Sequence, residues 1–234
     1  MIRMNTRGVF VNTKDYRIII PVLNEQVVVQ SVEFNDYIKS LSFPVTFVDS
    51  QSTDNTYEIL YNNNYEIFKC KEERSIAAPV IFAASQASEE NIIVLPVDCR
   101  VSNEELLSLS SHEFKWGGFL KKYNASGVII SLYLFIQNTI RTKLLKNLVW
   151  TNAMFFKREL FLDKARIFGF LEDVYLSDEL KKISSPLILD GPVIASFRRY
   201  ESRFLKRFCV NLKIMVLYRL KIKSISELKE IYSK

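Results

Sequence analysis

Three short apolar runs, Ile18-Ile19-Ile20-Pro21-Val22, Val45-Thr46-Phe47-Val48 and Asn91 to Val97, each end at small polar or acidic residues. Between them lie segments with helical patterning: Gln26 to Leu41, Asp54 to Asn63 and the alanine-rich Ser75 to Ser88. Pro79 fits the last of these only in its first turn, where a missing N–H is harmless. Strands separated by helices of ten or more residues cannot join through tight hairpins. The alternation therefore predicts an α/β fold with a mostly parallel central sheet flanked by helices. Tyr16 to Val22, stopped by Pro21, is the expected first strand and the Val45 run the second. Tyr65 to Cys70 is the third and Asn91 to Val97 the fourth. Val28, Val32 and Ile38 are expected on the inner side of the first helix.

The strand ends matter most for function. After Val48 come Asp49, Ser50, Ser52, Thr53 and Asp54, residues suited to a tight loop and a helix N-cap. A carboxylate at a strand's carboxyl end, followed by hydroxyls at a helix start, is where open α/β sheets hold polar ligands. An ordinary strand–turn–helix junction uses the same residue types. Asp98 ends the fourth strand, so Asp49 and Asp98 should emerge along one edge of the sheet. A carboxylate there suits Mg²⁺ or Mn²⁺, which take one or two protein carboxylates and complete their shell with phosphate and water. Taken singly, each aspartate is equally a helix-capping residue. Glu172-Asp173 opens a further helix with Leu176, Leu180 and Ile183 at helical spacing, where the dipole favours negative charge. A base at that position would accept a proton from a substrate hydroxyl.

The second half contains paired glycines in Trp116-Gly117-Gly118-Phe119, a mainly apolar helix from Val128 to Leu145, and a strand from Val149 to Lys157. A short helix follows over Arg158 to Lys164. Leu187 to Asp190 and Val193 to Phe197 read as two short strands joined at Gly191-Pro192. Cys70, Cys99 and Cys209 are odd in number and lack metal-ligand spacing, and His112 is the lone histidine. These argue against a disulfide framework, a zinc site or a multi-histidine centre, and for a reducing, cytoplasmic setting. No apolar core precedes Ile18, so no signal peptide is expected. The longest apolar run, Gly127 to Ile136, is well short of the ~20 residues that span a bilayer. A Gly-x-Gly-x-x-Gly dinucleotide fingerprint is missing.

Three of these segments resemble, in order and spacing, the motifs of family-2 glycosyltransferases. They are Ile18 to Glu25, Phe47-Val48-Asp49-Ser50-Gln51-Ser52-Thr53-Asp54-Asn55-Thr56, and Glu172-Asp173-Val174-Tyr175-Leu176-Ser177. Trp116 to Phe119, Asn152 to Phe161 and Phe197 to Glu201 are similar to one branch, the short bacterial transferases described as associated with radical-SAM and selenium-domain proteins. The resemblance implies a single GT-A domain over residues 1–200, with residues 201–234 as an amphipathic helical extension. It implies an inverting transfer of sugar from a nucleotide-diphospho-sugar donor to an acceptor hydroxyl. Pro21, Leu23, Glu25, Asp49 and Ser52 would then surround the donor nucleoside. Asp98 matches the last carboxylate of the family's Asp-x-Asp, with Pro96 where the first would stand, and would bind Mg²⁺ or Mn²⁺ on the diphosphate. Asp173 matches the general base, and Glu172 is its neighbour.

Net charge is +6 with an isoelectric point near 9.1, and the late chain is basic. Arg203 to Lys223 can form one helix with Phe204, Leu205, Phe208, Leu212, Met215 and Val216 on one face. Arg203, Lys206, Arg207, Lys213 and Lys221 gather opposite, interrupted by Val210, Ile214 and Leu217. Such a helix either packs on the domain with a solvated basic side or lies on an anionic membrane surface. The second option suits a lipid-linked acceptor and a peripheral place on the inner membrane face. Nucleic acid is not expected, since no recognised module accompanies the charge. Arg198-Arg199 are further candidates to clamp a diphosphate. A catalytically inactive relative serving as a membrane-associated scaffold is the competing reading.

Overall fold

In a computed structural model, residues 2–4, 10–71, 75–196 and 204–233 are described. Two compact units divide the chain, Met1–Ala195 and Ser196–Lys234. The first contains a small ribbon, β1 (Ile2–Met4) against β2 (Phe10–Asn12), and an eight-stranded sheet. The sheet strands are β3 (Tyr16–Val22), β4 (Val45–Asp49), β5 (Glu66–Lys69), β6 (Asn91–Val94), β7 (Cys99–Arg100), β8 (Trp116–Tyr123), β9 (Phe155–Lys157) and β10 (Leu187–Ala195). Their order is β5-β4-β3-β6-β9-β8-β10-β7. The β3–β4, β4–β5, β3–β6 and β8–β10 pairs are parallel, and only β9 and β7 run against the rest. The sheet is mostly parallel, as the alternation of strands and helices requires.

Helices α1 (Gln26–Val29), α2 (Val32–Ser40), α3 (Thr56–Asn62), α4 (Ala77–Gln86), α5 (Asn103–Ser108), α6 (Val128–Phe135), α7 (Arg158–Lys164) and α8 (Glu172–Lys181) complete this unit. The central strands are buried on both faces: Ile18, Ile19, Phe47, Val48, Ile92, Ile93 and Val94 are all inaccessible. That explains why they read as continuous apolar runs rather than alternating ones. Pro79 sits in the first turn of α4, as its missing N–H demands.

Four expectations for this first unit need correcting. Pro21 does not stop the first strand, which continues to Val22 and pairs Pro21 with Val48. Odd-numbered residues of β3 face β6, as the Leu95 N–H to Ile19 carbonyl bond shows, and β6 pairing ends at Ile19–Val94. The absent N–H of Pro21 therefore points where no acceptor is paired. The helix expected from Gln26 to Leu41 is two helices, because Ser31 turns extended and its hydroxyl accepts from the Phe34 N–H. The break rotates the inner face to Val29, Phe34 and Ile38 and leaves Val32 exposed. The strand expected over Val149 to Lys157 opens as a 3₁₀ turn at Trp150–Asn152 and becomes β9 only at Phe155. Finally, Leu187–Ala195 is one strand, not a hairpin. Both of its halves pair in parallel with β8, and an irregularity between Leu189 and Val193 absorbs Gly191-Pro192.

Gly117 shows why the paired glycines are needed. A Cβ there would collide with the Leu187 carbonyl of β10 and the ring of Phe155 on β9. Strands β9, β8 and β10 can close ranks only around a residue without a side chain.

The second unit holds α9 (Phe204–Arg219) and α10 (Ile225–Ser233), which pack on each other. The helix expected from Arg203 to Lys223 ends at Arg219, and Lys221 has a positive φ of 52°. Ile214, assigned above to the stripe interrupting the basic side, is buried, whereas Leu212 and Val216 are exposed. The inner face is thus rotated from the expected one. Arg203, the Arg198-Arg199 clamp and the Phe197 to Glu201 motif lie outside the described residues.

Candidate active site

The site is built where parallel strands end. After β3, Leu23 is exposed, Asn24 takes a left-handed conformation (φ 53°), and Glu25 is buried. After β4, Asp49 is buried and both its carboxylate oxygens accept from the Ser52 N–H, at 3.3 and 3.1 Å. The two loops are stitched together through side chains. Ser52 Oγ accepts from the Asn24 N–H (2.9 Å) and Asn24 Oδ1 from the Thr53 N–H (2.7 Å). Thr56 Oγ1 accepts from the Glu25 N–H (2.8 Å), and Asp54 Oδ2 from the Gln26 N–H (3.1 Å). Pro21, Leu23, Glu25, Asp49 and Ser52 therefore share one corner of the carboxyl edge. Asp49 retains acceptor capacity, since a carboxylate has about four lone-pair positions.

Asp98 lies past the end of β6, in the turn that leads to β7, and is partly exposed. The Cys99 thiol donates to Asp98 Oδ1 at 3.8 Å, and burial and the adjacent Asp98 push that thiol far up. Antiparallel pairing of Cys99 with Ala195 ties this turn to the end of β10. Among the described residues, no three His, Cys, Asp or Glu side chains converge as a metal cage. A single accessible carboxylate fits Mg²⁺ or Mn²⁺ shared with a diphosphate, the mode in which substrate and water supply the other ligands.

The Glu172-Asp173 pair splits into two different environments. Glu172 is buried and accepts five hydrogen bonds. They come from Ser75 Oγ (2.7 Å) and the N–H groups of Ile76 (3.2 Å), Ala77 (3.0 Å), Phe168 (2.9 Å) and Gly169 (2.7 Å). Although it opens its own helix α8, it caps the N-terminus of α4 and fastens the turn before α8. Asp173 is held by the Trp150 N–H (3.2 Å to Oδ2) and its own helix's Val174 N–H (2.8 Å to Oδ1). Desolvation raises its pKa above the ordinary carboxylate range, against the opposing pull of Arg141, those two N–H groups and Lys121.

Lys121 and Arg141 were not anticipated from the sequence. Phe119, Lys121 and Tyr123 share the buried face of β8, so the lysine amine is taken out of water. Its amine makes long contacts to Gln137 Oε1 and Thr151 Oγ1, both 3.4 Å. Burial and then the charge of Arg141 lower its pKa to about 7, with Cys99 and Asp173 pulling the other way. Arg141 is oriented by Asn147 Oδ1 (3.2 Å) and Gln137 Oε1 (3.3 Å). It stands on a π-helical stretch, Ile136–Leu144, that continues α6. Such widened turns recur at functional sites because they re-aim side chains. The one sequence signal was a lysine in phase with two buried aromatics, an uncommon occupant of an inner strand face.

The lowered lysine pKa has a measurable consequence. Below pH 7 the folded and unfolded chains both carry the charge, and the fold bears its full burial penalty. Between about pH 7 and the ordinary lysine value near 10.4, only the unfolded chain holds the proton, so stability rises with pH, by up to ~1.4 kcal/mol per unit. Lys121→Met should raise stability at pH 7 and flatten that slope in urea unfolding between pH 7 and 9. Identical slopes in the two proteins would show that Lys121 is not desolvated.

A mostly parallel sheet with acidic loops along one carboxyl edge defines the GT-A class of α/β fold, and solved structures of that class match it. TarS of Staphylococcus aureus aligns with a TM-score of 0.58 at 18% identity, over 86% of this chain and 39% of its own. A mannosyltransferase from Pyrobaculum calidifontis, solved with GDP-Man and Mn²⁺, gives 0.62 at 14%, over 90% and 65%. Glucosyl-3-phosphoglycerate synthase from Mycobacterium tuberculosis, solved with Mn²⁺, UDP and its product, gives 0.54 at 15%, over 76% and 70%. The chain thus spans less than two thirds of the first two structures. The profile described as glycosyl transferase family 2 matches residues 17–174, and the chain belongs to that family. No curated protein matches it.

Proposed function

We propose that this protein is an inverting glycosyltransferase that moves a sugar from a nucleotide-diphospho-sugar to an acceptor hydroxyl. One observation carries the reading. The carboxyl edge that bears Asp49 and Asp98 also bears Asp173, a carboxyl that burial raises above the ordinary carboxylate range and so makes a better proton acceptor than a solvated one. In the proposed reaction the acceptor oxygen attacks the anomeric carbon, and the bond from that carbon to the diphosphate breaks on the opposite face. The hydroxyl proton passes to Asp173. Pro21, Leu23, Glu25, Asp49 and Ser52 hold the nucleoside, and Glu172 positions the helix that presents Asp173. Asp98 would hold Mg²⁺ or Mn²⁺, which would supply charge neutralisation to the diphosphate, and structural relatives solved with Mn²⁺ support that choice.

Similarity to the short radical-SAM-associated branch is part of the proposal, supported by the Trp116 to Phe119 and Asn152 to Phe161 segments. So is a lipid-linked acceptor approached at an anionic membrane surface, supported by the exposed Leu212 and Val216 of α9. Among the described residues no helix is long and apolar enough to cross a membrane.

The test is a thermal-shift screen of UDP- and GDP-sugars with and without Mn²⁺. A donor at about 100 times its dissociation constant stabilises by ~2.7 kcal/mol. We expect one nucleotide class to raise the melting point with Mn²⁺, and Asp98→Ala to abolish the metal-dependent part alone. An unchanged metal response in Asp98→Ala would remove Asp98 from the site. No shift with any donor would leave the fold serving a non-catalytic role.

A further inference from the structure

The helix that walls the candidate site has two faces of opposite character. Its inner face carries Gln137 and Arg141 toward Lys121. Its outer face is apolar and uncovered: Val128 is 87% exposed, Leu132 57%, Phe135 58% and Leu144 73%. Val128, Leu132 and Phe135 recur every three or four residues, so they form one stripe, and Ile140 and Leu144 extend it along the π-helical turns. Soluble monomers rarely leave a contiguous apolar stripe of this length in water.

We propose that this face lies in the interface of an anionic phospholipid bilayer and seats the catalytic unit on it. The choice of partner rests on charge. Between Glu113 and Glu159 the chain has eight lysines and arginines and no acidic residue. Lys143 and Lys146 flank the apolar stripe at its end and are exposed. Lys143 reaches Asp190 of β10 at 2.9 Å across open surface, and Lys146 donates to Ser185 Oγ. A solvated ion pair of that kind yields readily to a phosphate surface. Apolar side chains entering the acyl boundary with cations at headgroup level are the pattern of a helix lying in the membrane plane. A second copy of the chain is the competing occupant, but the segment between Glu113 and Glu159 has no acidic residue to meet the exposed Lys143 and Lys146 across such a contact, whereas a phosphate surface supplies that charge. The surface differs from the C-terminal helices and belongs to the unit that holds Asp173. Its use in presenting a lipid-linked hydroxyl rests on the transferase reading; the membrane contact itself does not.

The experiment is co-sedimentation of the full chain with phosphatidylcholine vesicles, with and without about one third phosphatidylglycerol. The wild type should bind the anionic vesicles. Leu132→Glu combined with Phe135→Glu should weaken that binding at least tenfold, with melting point unchanged. Leu212→Glu with Val216→Glu, in α9, should weaken it much less. As a reading that needs no disruptive change, Val128→Trp should add an emission component that shifts to the blue on binding. No binding by the wild type, loss only with the α9 pair, or no shift from Val128→Trp would each overturn the proposal. So would a light-scattering dimer abolished by the Leu132 and Phe135 changes. Because binding is read without donor or acceptor, its failure leaves the transfer reactions to be judged separately.

Discussion

Asp173→Asn should lower turnover by ~10²–10⁴-fold, the usual worth of a positioned proton acceptor, while the fold and the donor-induced thermal shift persist. Asparagine keeps the shape and one acceptor oxygen, which serves either the Trp150 or the Val174 N–H, since each bonds a different oxygen of Asp173, and it cannot take a proton. Its effect on stability should be within about 1 kcal/mol, because replacing a desolvated carboxyl by a neutral amide also removes a burial penalty. The wild-type pH profile supplies a second check. Asp173 must be ionised to act and its pKa is raised, so turnover should fall as pH drops through that raised value. The acidic limb should therefore lie above ~4, where an unperturbed carboxyl would place it. Turnover by Asp173→Asn within a factor of a few of wild type would assign the proton to another group.

The neighbouring residue should behave oppositely. Glu172→Ala strands the N–H groups of Ile76, Ala77, Phe168 and Gly169 at once. An unsatisfied buried donor costs ~1–3 kcal/mol. Partial access to water reduces the sum, and we expect a loss of ~3–5 kcal/mol in chemical denaturation. Against a typical total of ~5–15 kcal/mol, that is severe. Glu172→Gln, which keeps an acceptor oxygen, should lose less and retain much of its turnover per folded molecule. A Glu172→Ala protein as stable as wild type would mean that water replaces the carboxylate without cost. Two adjacent acids would then be separated by measurement into one that reacts and one that braces.

The sequence made the sheet legible because doubly buried parallel strands have no polar face to blur them, and Ile18 to Val22 and Asn91 to Val94 stand out for that reason. Errors arose where a local signal competed with long-range pairing. Gly191-Pro192 resembles a hairpin turn, yet both flanks of β10 find the same partner, β8, so the chain continues straight. Ser31 reads as one polar residue within a helical pattern, but its hydroxyl offers the backbone a cap and breaks the helix. At the site, Asp49, Asp98 and Asp173 could be noticed because each sits at an element's end. Lys121, Arg141 and Thr151 could not, since strand, π-helical and turn positions far apart in sequence meet only after folding. The five bonds to Glu172 were equally hidden, because its donors lie on two segments, one of them about a hundred residues upstream.

The side-chain stitching between the loops after β3 and β4 bears on what a visiting nucleotide would meet. Asn24, Ser52, Asp54 and Thr56 spend their side-chain hydrogen bonds on the backbone of the opposite loop, so these loops surrender their freedom once, when the chain folds. A guest arriving there would find a cast already set rather than clay to be shaped. Its affinity would then reflect contacts made, with little withheld for arranging the host.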